Sequence, residues 1–189
     1  MDFDPLFEKL HARFPEVSAP AVENGERFVL LPEAASLEIL RWLKEDPDLS
    51  FDNLMMLAGV DTGREFWVVY ALHSFKQRHR LLAKVVLSRA APEIESVTGL
   101  WSAANYFERE AYDLYGIVFK HHPDLRRLLN PPDWEGWPGR KDYQYPKEYH
   151  GVKVERPQQF FDEQVEAANA SRTGVPPVQS VPPNQKPGV

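Results

Sequence analysis

Three consecutive strand-like segments in the middle of the chain restrict its fold more than any other feature. Residues 51–60, 65–75 and 80–88 are rich in apolar, aromatic and β-branched side chains, and polar turns separate them. The second segment contains the unbroken apolar run 66–72, which is typical of a central strand covered by a helix on at least one face. The short polar turn at 76–79 predicts that the last two segments are antiparallel neighbours. A mainly antiparallel or mixed sheet is therefore expected.

Amphipathic segments flank these strands on both sides. Apolar residues recur at helical spacing in three places, which predicts helices over residues 3–14, 32–46 and 98–115. Asp4 is the expected N-cap of the first helix, and Gly116 is a suitable left-handed residue after the last. A short strand is expected at 26–31. This order predicts an α+β fold, a two-layer domain with helices packed on one face of a mixed or antiparallel sheet, followed by an extended C-terminal segment.

The character of the chain changes after Gly116. Residues 117–160 show little periodicity but many aromatic and charged side chains, so a surface must hold them, either the domain itself or a partner. From about Asn169 the chain has five prolines and no aromatic residue, a composition that does not support independent folding. We therefore divide the chain into an α/β domain at 1–130, an extended partner-binding segment at 131–168 and a Pro-rich tail at 169–189.

Composition excludes several classes of function. The chain has no cysteine, which rules out disulfides, thiolate zinc sites, Cys-ligated iron–sulfur clusters and thiol catalysis. Its net charge of -6 disfavours binding to nucleic acid. No apolar run approaches the roughly 20 residues of a membrane-spanning helix, and the acidic N-terminus lacks the apolar core of a secretory signal. The chain is expected in the cytoplasm, or at a membrane only through a partner.

The densest group of charges lies at the end of the third predicted helix. It consists of Glu-Arg-Glu at 108–110 followed by Asp113, and helical spacing places Arg109 and Asp113 on one side. Arg126 and Arg127 lie downstream and are able to return to it. One interpretation is a solvated helix face whose ion pairs are each worth about 0–1 kcal/mol. The other is a charged interface or a buried network that holds the following loop.

No other constellation predicts chemistry in this chain. The histidines lack metal-ligand spacing, and His122 is expected to cap or pack the turn at Pro123. Nucleophile-elbow and phosphate-loop motifs are absent. A paired-carboxylate hydrolase using Glu108 and Glu110 is disfavoured, because residues two apart on a helix point away from each other. The residues alone therefore give only weak support for a catalytic, nucleotide-binding or metal-binding site.

Two signature stretches and one upstream stretch of the sequence resemble a known family. The upstream stretch, FDNLMMLAGVD at 51–61, resembles the family's strand that leads into a short turn. The signature stretches are YFEREAYDLYGIVFKHHPDLRRLL at 106–129 and DWEGWPGRKDYQYP at 133–146. Both closely resemble the signature of the C-type, or 30-kDa, subunit of proton-translocating NADH–quinone oxidoreductase (respiratory complex I), with one departure at Gln144-Tyr145. The resemblance covers about residues 28–146. The signature and interface candidates are Glu108, Arg109, Glu110, Asp113, Tyr115, Gly116, His122, Pro123, Asp124, Arg126, Arg127, Trp134, Arg140, Lys141 and Asp142.

The resemblance implies a subunit of the peripheral arm that is not itself redox-active and that has no catalytic, cofactor-binding or metal-binding residue. FMN, iron–sulfur clusters and quinone are then expected in partner subunits and not in this chain. The implied partners are the D-type (49-kDa) subunit, which helps to shape the quinone pocket, and other peripheral-arm subunits. The implied location is the cytoplasmic face of the cell inner membrane, reached only through the complex.

Two alternatives stay open at this stage. Related subunits occur in membrane-bound hydrogenases and plastid-type complexes, and a free-standing enzyme that uses the Glu/His constellation is the less favoured alternative. Our structural hypothesis is that the charges at 108–113 form an ion-pair network with Arg126 and Arg127. This network would hold residues 117–130 for docking, with Lys141 and the aromatic residues after it along the partner.

Overall fold

The computed structural model describes residues 2–23 and 25–153, so the Pro-rich tail predicted at 169–189 lies outside the described residues. The three main helices are α1 (Phe3–Arg13), α2 (Ser36–Glu45) and α3 (Ala104–Tyr115). The strands are β1 (Ala21–Glu23), β2 (Glu26–Leu31), β3 (Asn53–Asp61), β4 (Glu65–Ser74), β5 (His79–Ser88), β6 (Glu93–Glu95), β7 (Val118–Lys120), β8 (Glu148–Tyr149) and β9 (Val152–Lys153).

The main sheet has five strands in the order β1-β2-β5-β4-β3. Strands β2 and β5 pair in parallel, and the other neighbours are antiparallel, with Tyr70 of β4 opposite Ala83 of β5. The predicted hairpin between the second and third central segments is confirmed, and so is the mixed sheet. A separate parallel pair joins β6 to β7, directly on either side of α3 in the chain.

The core lies between one face of this sheet and the helices. In β4 the buried apolar side chains are Phe66, Val68, Tyr70 and Leu72, and each intervening residue is partly exposed. Leucines of α1 and α2 and the alanines of α3 join the same buried cluster. The predicted α+β fold, with helices packed on a mixed sheet, is therefore confirmed.

The element boundaries differ from the predicted ones in several places. Strand β3 covers Asn53–Asp61 and not 51–60, and the other main differences lie at the N-termini of the helices. The N-cap of α1 is Asp2, and Asp4 lies within the first turn. Pro32 precedes a 3-10 turn at Glu33–Ala35, and α2 begins only at Ser36. The third helix begins at Ala104, because residues 97–101 form tight turns that bury Trp101, whose indole N–H donates to the Phe51 carbonyl at 3.0 Å.

The described residues divide into two compact units, one that ends at Gln144 and one that begins at Tyr145. In the described part of the second unit, β8 and β9 form a short antiparallel hairpin. The predicted division at 130 and 168 stays a prediction. Within 2–23 and 25–153, no helix combines the length and the apolar character needed to span a bilayer.

Candidate functional site

Asp113, in the last turn of α3, is the centre of the charged cluster. Its Oδ2 accepts hydrogen bonds from the backbone N–H groups of Leu128, Leu129 and Asn130 at 3.0, 2.6 and 2.8 Å. Its Oδ1 accepts from the Arg127 guanidinium at 2.8 Å and from the Asn130 amide at 3.0 Å. Burial alone would raise the pKa of Asp113, but these donors outweigh it and lower the pKa to about 2. One buried carboxylate therefore organises the loop that follows β7.

Arg109 stabilises the same loop from a different side. Its guanidinium donates to the carbonyl of Arg126 at 3.2 Å and to the carbonyl of Arg127 at 3.1 Å. The expected i,i+4 pairing of Arg109 with Asp113 is therefore replaced, since Arg127 is the ion-pair partner of Asp113. Helical spacing alone cannot show this, because the competing donors come from a loop 14 to 17 residues further along the chain.

Arg127 connects this loop to the next irregular segment. Besides Asp113, it donates to the carbonyls of Trp134 at 2.7 Å and Gly136 at 2.8 Å, and it lies 4.7 Å from the centre of the Trp137 ring. Five donors fixed in a planar fork suit arginine to such multiple carbonyl contacts. Arg127 thus attaches the segment 131–137 to the domain, together with the Trp137 ring, whose centre lies 5.1 Å from that of Tyr112 on α3.

Asp61, at the end of β3, is a second buried carboxylate that accepts several hydrogen bonds. We call Asp113 and Asp61, each with its donors, the two carboxylate hubs. Its Oδ1 accepts from the Gly63 N–H at 2.7 Å and from Arg89 at 2.5 Å, and its Oδ2 accepts from the Lys141 N–H at 2.8 Å. Arg89 also pairs with Asp142 at 2.7 Å. Burial opposes ionisation of Asp61, yet Arg89 and the two backbone donors lower its pKa to about 2. The hub fastens residues 141–142 to the turn between β3 and β4.

Sequence reasoning missed the role of Asp61. The residues Asp61-Thr62-Gly63 predict only a turn, and the Asp61 carboxylate does bond the Gly63 N–H within that turn. The contact with Lys141 spans 80 residues, so no local pattern reveals it.

The junction after α3 is closely covered. Gly116 is left-handed with φ +70°, as its place after the helix predicts, and an added Cβ would lie 2.5 Å from the Trp137 ring. Arg140 donates to the Tyr115 carbonyl at 2.7 Å, and its guanidinium lies 4.9 Å from the centre of the Phe66 ring. The end of α3 is thus held between the sheet and the irregular segment.

Glu108 and His122 lie together under the start of the loop, with both side chains fully buried. Glu108 accepts from the Val97 N–H at 2.7 Å, and burial raises its pKa to about 7. The Nδ1 of His122 accepts from the Asp124 N–H at 3.0 Å. The expectation that His122 caps the turn at Pro123 is therefore confirmed.

The signature residues separate into an inner and an outer set. The buried or partly buried members are Glu108, Arg109, Asp113, Tyr115, Gly116, His122, Arg127, Trp134 and Arg140. The exposed members are Glu110, Pro123, Asp124, Arg126, Lys141 and Asp142. Arg126 does not join the predicted network, because it pairs with the exposed Asp124 at 2.8 Å. Glu110 also lies outside this network. Because Glu108 is buried and Glu110 is exposed, the two carboxylates do not lie together.

This arrangement is suited to holding residues 117–144 in a fixed conformation. The inner charges bind backbone groups of the same chain, which fixes residues 117–144 against α3 and the sheet. Within the described part of the chain, no group of three or more His, Asp or Glu side chains is placed to hold a metal ion.

Acid unfolding tests the two hubs. Both carboxyls have pKa values of about 2 in the folded chain against 3.8 ordinarily, so each stabilises the fold above pH 3.8 and loses that contribution as pH falls toward 2. We expect a loss of about 2 kcal/mol for each carboxyl. Denaturant unfolding measured between pH 2 and pH 4 should show that the free energy of unfolding depends less steeply on pH in Asp61→Asn and in Asp113→Asn than in the unmodified chain. A slope equal to that of the unmodified chain would contradict the assignment.

Comparisons with known proteins agree on one family. Residues 29–149 match the family model described as "Respiratory-chain NADH dehydrogenase, 30 Kd subunit". A relative from Roseiflexus sp. (strain RS-1), named as the C subunit of NADH-quinone oxidoreductase, is 43% identical over 146 residues, covering 75% of this chain and 84% of that relative. A relative of the same name from Chloroherpeton thalassium is 48% identical over 115 residues, which are 60% of this chain and 48% of that relative.

A solved structure shares the fold. It is described as "Nqo5 of the trypsin-resistant fragment (1-134)", and it is 30% identical to this chain with a TM-score of 0.56. The likeness covers 66% of this chain and 100% of that one. The residues that match the family model, 29–149, include strands β3 to β7, helix α3 and both carboxylate hubs.

Proposed function

The chain belongs to the family of the 30-kDa subunit of respiratory-chain NADH dehydrogenase, and from this membership we propose that it is a peripheral-arm subunit of NADH–quinone oxidoreductase. It carries no redox group of its own. It supports assembly with the D-type subunit near the quinone site, and thereby supports electron transfer from NADH to quinone coupled to proton translocation. The enzyme activity belongs to the complex.

One observation carries this proposal. Two buried carboxylates are bound to backbone groups of the same chain, the signature residue Asp113 to residues 128–130 and Asp61 to Lys141. A long irregular segment is thereby held in one conformation before any partner arrives. Preorganisation of this kind lowers the entropy lost on association, which favours a docking role over catalysis.

The exposed signature residues are the proposed contact surface. Arg126 and Asp124 lie close in the chain to Leu129, whose side chain is 61% exposed. Tyr106 is 63% exposed on α3, and Arg109 lies 5.9 Å from the centre of its ring. An exposed aromatic residue, an exposed leucine and an exposed arginine suit a protein interface.

The proposed partners and location follow from the same membership. FMN, iron–sulfur clusters and quinone are assigned to partner subunits, and this chain binds neither nucleic acid nor the bilayer itself. It lies at the cytoplasmic face of the inner membrane as part of the complex. The names of its relatives favour NADH–quinone oxidoreductase over a hydrogenase or plastid-type complex.

Co-purification tests the proposal directly. The tagged full chain, expressed from its native locus, should retain the D-type subunit stoichiometrically and should hold no metal or flavin after separation from it. Retention of a hydrogenase large subunit in its place would move the chain to the related class. A stoichiometric metal or flavin on the separated chain would favour the free-standing enzyme.

Charge reversal at Arg126 should weaken assembly without unfolding the chain. Its side chain is 67% exposed, and its ion-pair partner among the described residues is the exposed Asp124, so Arg126→Glu should leave stability within about 0.5 kcal/mol. We expect on the order of tenfold less D-type subunit in the pulldown, equivalent to about 1.4 kcal/mol of association. Arg41→Glu, an exposed reversal on α2, serves as the matched control. Equal recovery with both variants would exclude Arg126 from the interface.

A further inference from the structure

Glu108 is a buried carboxyl group with no cation among the described residues to balance its charge. Its side chain is fully buried, and Oε1 accepts from the Val97 N–H at 2.7 Å. Its Oε2 is also buried and has no hydrogen-bond partner among the described residues. The adjacent Arg109 donates its guanidinium N–H groups to the carbonyls of residues 126 and 127. Removal of a carboxylate from water without a paired cation strongly favours the protonated form.

His122 is the nearest basic group, with Nε2 at 4.0 Å from Glu108 Oε2. Its hydrogen bonds define its tautomer. Because Nδ1 accepts from the Asp124 N–H at 3.0 Å, that nitrogen carries no proton. The other nitrogen, Nε2, then bears the ring proton and donates it to the Asn105 carbonyl at 3.3 Å. The ring in this geometry is neutral, so it does not supply the missing cation.

The other described groups near Glu108 supply no positive charge either. From β4, burial and the nearby Glu108 raise the pKa of Tyr70, which keeps the phenol protonated, and its buried hydroxyl has no partner among the described residues. From the turn after β6 come the Ser96 hydroxyl and the Val97 N–H, which favour the charged form of Glu108 but do not outweigh its burial. On α3 itself, Glu110 is exposed and Asp113 is bound to the loop at 127–130.

We propose that Glu108 is a proton-binding site of the folded chain, held as a neutral acid because its buried Oε2 has neither a hydrogen-bond donor nor a cation among the described residues. Release of the proton leaves a negative charge against the His122 ring. The ring can match that charge only by taking a proton on Nδ1, which breaks its bond to the Asp124 N–H. Occupancy of the Glu108 site is therefore coupled to the conformation of the turn at 122–124. Burial raises the pKa of Glu108 to about 7, which agrees with this geometry.

The titration of the unmodified full chain is the primary test, because it needs no variant to fold. Carbon-13 NMR of the glutamate side-chain carboxyls should show one group with a midpoint near pH 7 that is absent from Glu108→Gln. Nitrogen-15 NMR of the same samples should identify the His122 tautomer that its hydrogen bonds define, with the ring proton on Nε2 and none on Nδ1. An ionised Glu108 paired with a doubly protonated His122 would overturn the proposal, and so would a Glu108 midpoint below about pH 5.5.

Linkage to stability supplies an independent readout. The folded chain holds the proton between about pH 4.5 and pH 7 and the unfolded chain does not, so stability falls as pH rises through this interval. Relative to Glu108→Gln, the unfolding equilibrium constant of the unmodified chain should rise up to about tenfold per pH unit there. Glu110→Gln is the matched control on the exposed side of the same helix and should retain the pH dependence. Parallel profiles for Glu108→Gln and the unmodified chain would overturn the proposal.

Discussion

Replacement of Asp113 by alanine is expected to lower the free energy of unfolding by about 3–5 kcal/mol, more than any other substitution proposed for this chain. The carboxylate is fully buried and accepts from three consecutive backbone N–H groups, an amide and the Arg127 guanidinium. Its removal leaves these donors without acceptors in a part of the chain that water does not reach freely. Each buried donor that loses its partner costs about 1–3 kcal/mol, and the unpaired arginine adds to that cost.

Two further variants distinguish the loss of the Asp113 hydrogen bonds from a general effect of substitution in α3. Glu110→Ala changes an exposed acidic residue of α3 and should alter stability by less than about 0.5 kcal/mol. Asp113→Asn keeps one acceptor oxygen and should fall between the other two. Urea unfolding near neutral pH gives the free energies, and limited proteolysis within residues 117–144 reports release of the loop. If Asp113→Ala and Glu110→Ala were equally stable, Asp113 would not be the organising group.

Gly116→Ala is expected to destabilise the chain by about 2–4 kcal/mol. The residue has φ +70°, where a side chain costs about 1–2 kcal/mol. An added Cβ would also lie 2.5 Å from the Trp137 ring and 2.8 Å from the Arg140 guanidinium. Relief of that overlap requires movement of both side chains, and overpacking of this kind typically costs about 1–3 kcal/mol.

A series of glycine substitutions separates the backbone cost from the steric cost. Gly63 has φ +90°, but an added Cβ would meet nearly open space, with its nearest neighbour, an atom of Lys141, at 4.0 Å. Gly63→Ala should therefore lose only the backbone contribution of about 1 kcal/mol. Gly99 has neither a positive φ nor a neighbour within 4 Å, so Gly99→Ala should be nearly neutral. Thermal unfolding should rank the stabilities Gly99→Ala, Gly63→Ala and Gly116→Ala in descending order, and any other order would refute this explanation.

The long elements of the fold are readable from the sequence, whereas the short ones are not. The patterns in 65–75 and 80–88 predict β4 and β5 to within one residue, because each strand has one face in the core. Strands β1, β6 and β7 have three residues each, too few to show a period, and pairing with other strands creates them. The apolar stripe that starts at Leu100 predicts too early a start for α3, because Trp101 is buried from a turn.

The sequence also predicts only a part of the candidate site. Resemblance to the family identifies the residues of the charged cluster, and the structure corrects their partners. Arg126 is expected in the network but pairs on the surface with Asp124, whereas Arg127 is the ion-pair partner of Asp113. Asp61 carries the second hub without belonging to either signature stretch, since its contact with Lys141 depends on the packing of the turn after β3 against residues 140–142.

Glu108 and Asp113 show most clearly what the sequence determines and what the tertiary structure determines. The sequence alone places two carboxyls five residues apart on one amphipathic helix, and it predicts the sheet on which that helix packs. Only the tertiary structure decides that the pKa of one is about 7 and that of the other about 2. Burial opposes ionisation at both positions. The difference arises because a loop 14 to 17 residues further along the chain brings five donors to Asp113, while the described groups facing Glu108 are neutral and leave one of its oxygens without a donor.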